Sequence, residues 1–265
     1  MTTLQIVLLA LLQGLTEFLP ISSSGHLVLL PLFVGWEDQG LAFDVAVHFG
    51  TLIAVVTYFR DEVMRILRAL LSAARGGDFS HDARLGVNLA VGTVPVALAG
   101  LALGDFIDGH LRSALVIATT TAVFGVLLWV ADRFGRRQRA VDSATVIDAL
   151  VVGFAQVLAL VPGTSRSGIT MTAALARGFD RDGAARFSFL LSIPVIVLAS
   201  GYQTLKLLSQ PAAGHWSEIA VGVVVSAVAA YLSIGWFMGF VARAGMWVFA
   251  LYRVLLAVVI VVTLV

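Results

Sequence analysis

Two of the long apolar stretches in this chain are broken near their middles by short polar runs of the same make-up. Leu4 to Leu30 is interrupted by Pro20-Ile21-Ser22-Ser23-Ser24-Gly25-His26. Val146 to Leu175 is interrupted by Pro162-Gly163-Thr164-Ser165-Arg166-Ser167-Gly168. With a one-residue gap, Ser22 to Gly25 lies over Ser165 to Gly168. Hydrocarbon tolerates such groups only where protein buries them or a wet cavity receives them. The two interruptions therefore limit how the chain can fold and mark where its chemistry sits.

The surroundings are a membrane protein's. Of 265 residues, 59% are hydrophobic and 12% charged, with a mean hydropathy of +0.97; a soluble domain carries about 25% charged residues. The expectation is a single polytopic membrane domain. A net charge of +1 gives no reason to expect nucleic acid as a partner. The absence of cysteine excludes disulfides, thiolate catalysis and zinc–thiolate sites. The first basic residue is Arg60, so no basic n-region precedes the first apolar run and a retained N-terminus is expected.

Six stretches have the length of a membrane helix, about 20 residues. They cover about 41–60, 85–104, 113–131, 187–206, 219–242 and 246–265. The two interrupted stretches, 4–35 and 146–177, split into halves too short to cross a bilayer. Each reads as a re-entrant helix–loop–helix that returns to its starting side, the alternative being a pair of short spanning helices. The order hairpin, span, span, span then occurs in 1–133 and again in 142–265, with Arg133 to Asp142 as linker. Three spans is an odd number, so the second half is upside down relative to the first. The expected fold is an all-α polytopic protein with an inverted repeat, which brings broken helices together near the midplane.

Lys and Arg set the orientation. One side receives Arg60, Arg65, Arg68, Arg75, Arg84, Arg133, Arg136, Arg137, Arg139, Arg177, Arg181, Arg186 and Arg243; the other receives Arg112 and Lys206. The basic side, with loops 60–84 and 133–142, is expected in the cytoplasm. Both termini and the mouth of the first hairpin then face outward.

Each interruption lies where a new half-helix begins. Ser22 or Ser23 can cap the first, and Thr164 or Ser165 the second. Free N–H groups at a helix start favour phosphate. Two such ends, with Arg166 between them, would hold a multiply charged phosphate through a planar guanidinium. An ion pair of Arg166 with Glu17, fixing the hairpins together, is the structural alternative. Gln13 and Glu17 share a helix face leading into the Ser22–His26 loop. Glu17 can accept a proton or hold a divalent cation, Mg2+ or Ca2+. His26 reads as a general acid/base or a nucleophile. Asp44 and His48 receive no role, and Asp148 is expected at the start of the second hairpin.

Gln13-Gly-Leu-Thr-Glu17-Phe-Leu-Pro-Ile-Ser-Ser-Ser-Gly-His26 resembles the first signature of the bacterial undecaprenyl-diphosphate phosphatases, the bacitracin-resistance membrane proteins. Pro162 to Thr170 resembles their second signature, and Phe187 to Pro194 a further stretch. The resemblance implies removal of the terminal phosphate from undecaprenyl diphosphate, a long-chain prenyl lipid. That recycles the lipid carrier for peptidoglycan and cell-wall synthesis in the bacterial inner membrane, with bacitracin resistance as a consequence. It implies catalytic roles for Glu17, Ser23, His26 and Arg166. Ser22, Ser24, Gly25, Ser165, Ser167, Gly168 and Thr170 would bind phosphate, and Gln13 would support Glu17. The position of Gln13 is Glu or Gln in that family; with Gln here, the base is expected to be Glu17. Ser23 is the first choice as nucleophile, with His26 and water as alternatives. Lipid phosphatases related to the phosphatidic acid phosphatases also use Ser-Gly-His, but they need a His where this chain has Thr170. A transporter or flippase on an inverted repeat is the competing function, and a homo-oligomer is allowed.

Overall fold

A computed structural model describes residues 1–208 and 216–265, apart from the side chains of Asp105, Asp108 and Leu208. The described residues are almost entirely helical. α1 (Thr3–Thr16) and α2 (Ser23–Val34) form the first interrupted stretch. α3 (Leu41–Tyr58) is followed by α4 (Arg60–Ala74), α5 (His81–His110) and α6 (Ala114–Phe134). α7 (Val146–Val157), a 3-10 turn (Leu158–Leu160) and α8 (Arg166–Ala176) form the second. α9 (Arg181–Leu208), α10 (Trp216–Ala244) and α11 (Trp247–Leu264) complete the chain. Six of these helices, α3, α5, α6, α9, α10 and α11, are long and apolar enough to cross a membrane. Each of the six falls on a stretch expected to span, and α5, α6, α9 and α10 run past the expected ends.

One segment departs from expectation. Residues 60–84, expected as a basic loop, contain α4. Val63, Ile66 and Leu70 recur at helical spacing among the arginines and pack on the core, which stabilises a helix where charge alone suggests a loop.

Small residues allow the tightest helix contacts. A Cβ on Gly14 of α1 would collide with Ala229 and the backbone of Ser226 on α10, and one on Gly153 of α7 with the backbone of Gly92 on α5. Such close approach is how membrane helices gain van der Waals contact without a hydrophobic driving force. α1 thus packs on α10 and α7 on α5, while α3 packs on α9 and α6 on α11. Phe18, Phe59, Phe189, Phe237 and Phe249 are buried in one central cluster beneath the two loops.

Ion pairs fix the ends of the second interrupted stretch. Asp148, in the first turn of α7, forms a capping box with Thr145 and receives Arg139 Nη2 at 2.6 Å and Arg177 Nε at 2.7 Å. Burial raises the pKa of this carboxyl. Bonds from both arginines and from Thr145 outweigh that and hold it well below the usual carboxylate range. Asp148 sits at the start of the half-helix as the sequence predicts.

Candidate active site

Ser22 and Ser165 are the residues that cap α2 and α8. Each has a left-handed backbone, φ 72° and φ 70°, and no glycine to relieve it. The side chain of Ser22 accepts from Gly25 N at 3.3 Å, and that of Ser165 from Gly168 N at 3.1 Å. Non-glycine residues in this region cost on the order of 1–2 kcal/mol each. Matching strain in both loops singles them out as sites where geometry outweighs local stability. Each cap also bonds a serine two residues on, Ser22 with Ser24 and Ser165 with Ser167.

The strained turn aims the first residue of each helix at one carboxylate. Ser23 Oγ donates to Glu17 Oε2 at 2.5 Å, and Arg166 Nη2 donates to Glu17 Oε1 at 2.8 Å. Gln13 Nε2 also donates to Oε2, at 3.0 Å. Glu17 is buried, and Arg166 keeps 14% of its side chain exposed, enough to reach a ligand. Both earlier readings of Arg166 therefore share one position: it pairs with Glu17 and stands beside the helix starts. Arg166 also lies over the Phe18 ring and donates to Ser188 O, while Thr170 bonds the Ser188 hydroxyl at 2.7 Å. Ser167 Oγ donates to Leu19 O, joining the second loop to the first.

His26 faces elsewhere. Its Nδ1–H donates to Ser22 O at 2.7 Å, which braces the strained cap. Nε2 meets the Tyr252 hydroxyl at 2.6 Å and in that tautomer accepts from it. Neither ring nitrogen bonds Ser23; the group that does is Glu17.

Three further residues converge here without having been marked in the sequence. His48 on α3 places Nε2 3.8 Å from Glu17 Oε2. Tyr252 orients His26. Arg253, fully buried, donates to the carbonyls of Pro20, Thr120, Thr121, Gly163 and Thr164, so one guanidinium holds both loops against α6. The signal for Arg253 was present, since it is the one charge within 246–265 and charge at membrane depth is costly. His48 and Tyr252 lie 31 and 229 residues from Ser23 or Glu17 in sequence, and only packing brings them in.

A divalent cation held by protein needs several oxygen or nitrogen donors in one place. Among the described residues, no three His, Asp or Glu side chains converge. Both Glu17 oxygens are already engaged by Arg166, Ser23 and Gln13. These residues do not fit a metal held by protein ligands alone. What the site can do is take a proton from a serine hydroxyl, and offer a guanidinium and two helix N-termini to an anion.

Comparison with known proteins gives a consistent match. The family model described as bacitracin resistance protein BacA matches residues 6–259. The chain is 54% identical over 258 residues to the undecaprenyl-diphosphatase of Teredinibacter turnerae, covering 97% of this chain and 98% of that protein. It is 54% identical over 256 residues to that of Saccharophagus degradans, covering 97% and 96%. It is 52% identical over 265 residues to undecaprenyl-diphosphatase 2 of Stutzerimonas stutzeri, covering 99% and 98%.

Proposed function

The chain belongs to the bacitracin resistance protein BacA family, and on that premise we propose that the convergence on Glu17 is the active site of an undecaprenyl-diphosphatase. The protein hydrolyses undecaprenyl diphosphate to undecaprenyl phosphate and inorganic phosphate. It is a multi-pass membrane enzyme, and its product serves cell-wall synthesis. The observation that carries the site assignment is the pair of bonds from Ser23 and Arg166 to the two oxygens of Glu17.

In this reading the terminal phosphate lies at the starts of α2 and α8. The N–H groups of Ser24 and Ser167 donate to its oxygens, and Arg166 adds guanidinium donors from beside Glu17. Glu17 takes the proton of Ser23 as Oγ attacks the terminal phosphorus. The Oγ–P bond forms and the bond from phosphorus to the bridging oxygen breaks, so undecaprenyl phosphate leaves. Water then cleaves the phosphoserine and releases inorganic phosphate. Arg166 and the helix ends stabilise charge spread over the transferring group. Ser22, Ser165 and Thr170 hold the loops in shape, and His26 braces Ser22. All named groups come from one chain, so the chemistry needs no second copy.

The inverted repeat accounts for several pairings at once: α1 on α10 with α7 on α5, Ser22 with Ser165, and Ser23 with Arg166. The charge bias supports a cytoplasmic position for the arginine-rich loops of a plasma-membrane protein, with the site open to the exterior. Hydrolysis needs no alternating exposure of the site, whereas the competing transporter reading does.

The test is phosphate release from a long-chain prenyl diphosphate by the purified full chain in detergent. Turnover by the native chain, lost in Ser23→Ala and Glu17→Gln, supports the proposal. Lipid translocation in vesicles without phosphate release would replace it with the transporter.

A further inference from the structure

α4 has three faces, and the enzymatic site uses none of them. At 100° per residue, Glu62, Ile66 and Leu70 fall on one side and pack against the protein. Leu67, Leu71 and Met64 form the next stripe and are exposed. Arg68 and Ser72 form the third, directly beside that apolar stripe, and Arg75, the residue that follows the helix, joins them around one concavity. The helix joins α3 to α5, two helices long and apolar enough to cross the membrane, so it lies at the membrane face. An exposed leucine stripe flanked by arginines is the pattern of a helix seated at the boundary between acyl chains and headgroups.

The charges on this segment sort by partner. Arg60 lies 3.8 Å from Asp61, Arg65 lies 3.8 Å from Asp82, and Glu62 meets Arg186 at 3.3 Å. Arg68 and Arg75 have no carboxylate partner among the described residues. They line a concavity of about 440 Å3 together with Leu71, Ser72 and Gly77. Neither pairs with Asp78, three positions after Arg75, so the two arginines are in excess there. Two guanidiniums, a hydroxyl and a leucine wall together suit one kind of occupant, an anion with an attached acyl chain.

We propose that Arg68 and Arg75 form a binding site for the headgroup of an anionic phospholipid, with its acyl chains along Leu67 and Leu71. The phosphate bridges the two guanidiniums, and Ser72 supplies a hydroxyl donor. This site is separate from Glu17 and does not depend on the reaction assigned there. Its role is to fix α4, and the α3–α5 connection it forms, against the lipid surface.

Native mass spectrometry of the full chain, delipidated in detergent and titrated with phosphatidylglycerol or phosphatidylcholine, tests the site. The native chain should bind one phosphatidylglycerol in clear preference to phosphatidylcholine. R68Q or R75Q should weaken that binding by about fivefold each, the scale of one basic residue at an anionic surface. Arg65→Gln, on an arginine already near Asp82, should change it much less. R68Q/R75Q should keep its phosphatase activity, which shows that the variant is folded. Equal binding of the two lipids, or unchanged phosphatidylglycerol binding in a folded R68Q/R75Q, would overturn the proposal. So would full displacement of the lipid by millimolar inorganic phosphate, which would make this a site for the free ion.

Discussion

His48 Nε2 stands 3.8 Å from Glu17 Oε2, while His48 Nδ1 bonds Asp44 O at 2.7 Å. The second bond places the proton of a neutral ring on Nδ1 and turns the Nε2 lone pair toward a carboxylate. His48 is about a third exposed and Glu17 is buried, so the imidazole is the more open member of the pair. In the proposed mechanism it is placed to receive the proton that Glu17 would take from Ser23. His48→Gln should lower kcat by about tenfold with little change in KM, a fraction of what a direct general base contributes. Steady-state kinetics on a long-chain prenyl diphosphate check this. An unchanged kcat with a lowered melting temperature would leave His48 with packing alone.

Glu17 and Gln13 share a helix face, yet their substitutions should differ. Only Glu17 receives Ser23, and Gln13 donates to Glu17 at 3.0 Å from one turn away. Glu17→Gln removes the proton acceptor and should cost about 100-fold or more in kcat. Gln13→Ala removes one bond to the acceptor and should cost about tenfold or less. Single-turnover rates of both variants separate the roles. Equal losses would point to a shared structural function.

These two helix turns show what the sequence could carry. A proline followed by hydroxyls inside an apolar run is a local signal, and it placed the loops, their caps and Glu17. Asp148 was legible for the same reason, as an acidic residue at a helix start. The left-handed backbone of Ser22 and Ser165 was not legible, because serine does not advertise positive φ as glycine does. α4 was hidden by its own arginines, which drew attention to charge and away from Val63, Ile66 and Leu70. Convergence was least legible. Arg253 meets Pro20 and Gly163 across 233 and 90 residues, and helical periodicity carries no information about such distances.

Arg166 has two tasks that a lysine cannot combine. One guanidinium nitrogen donates to Glu17 Oε1 and the other to Ser188 O, a fork that fixes the plane of the group. Arg166→Ala should abolish measurable turnover and strand the Glu17 charge. The stability loss is about 3 kcal/mol or more, typical of breaking a buried pair from one side. Arg166→Lys should recover much of the stability and little of the turnover. Melting temperatures and kcat measured on the same preparations check this. Near-native turnover in the alanine variant would remove Arg166 from phosphate binding.

Arg253 should behave as a structural clamp rather than a reacting group. Its donors serve carbonyls in both loops and in α6, and no carboxylate. A bond to a charged donor contributes about 1.5–3 kcal/mol, so Arg253→Met leaves several carbonyls unserved at once. The expected result is a large fall in melting temperature together with lost activity. Arg253→Lys should recover part of both, because lysine keeps the charge but reaches fewer of the carbonyls. A methionine variant as stable as the native chain would show that the loops hold each other without it.

Asp148 gives the pH prediction. Its carboxyl titrates near pH 3.9 in an unfolded chain, whereas in the folded protein its pKa lies well below that range. Burial opposes this shift, and the bonds from Arg139, Arg177 and Thr145 outweigh it. The sign follows from linkage: the folded state binds the proton more weakly than the unfolded state does. Its contribution is therefore fully present above the unfolded pKa and is lost as pH falls through the folded one. The native chain in detergent should hold its melting temperature from about pH 7 to about pH 5 as far as this group is concerned, then lose it progressively below about pH 4. Asp148→Asn keeps the size of the side chain but leaves Arg139 and Arg177 without a carboxylate. It should melt lower at neutral pH, and the gap to the native chain should narrow as the pH is taken below about 4. Melting curves of the two proteins across that range give the result directly. A constant gap at every pH would mean that the loss comes from altered packing at the start of α7, not from the charge on Asp148.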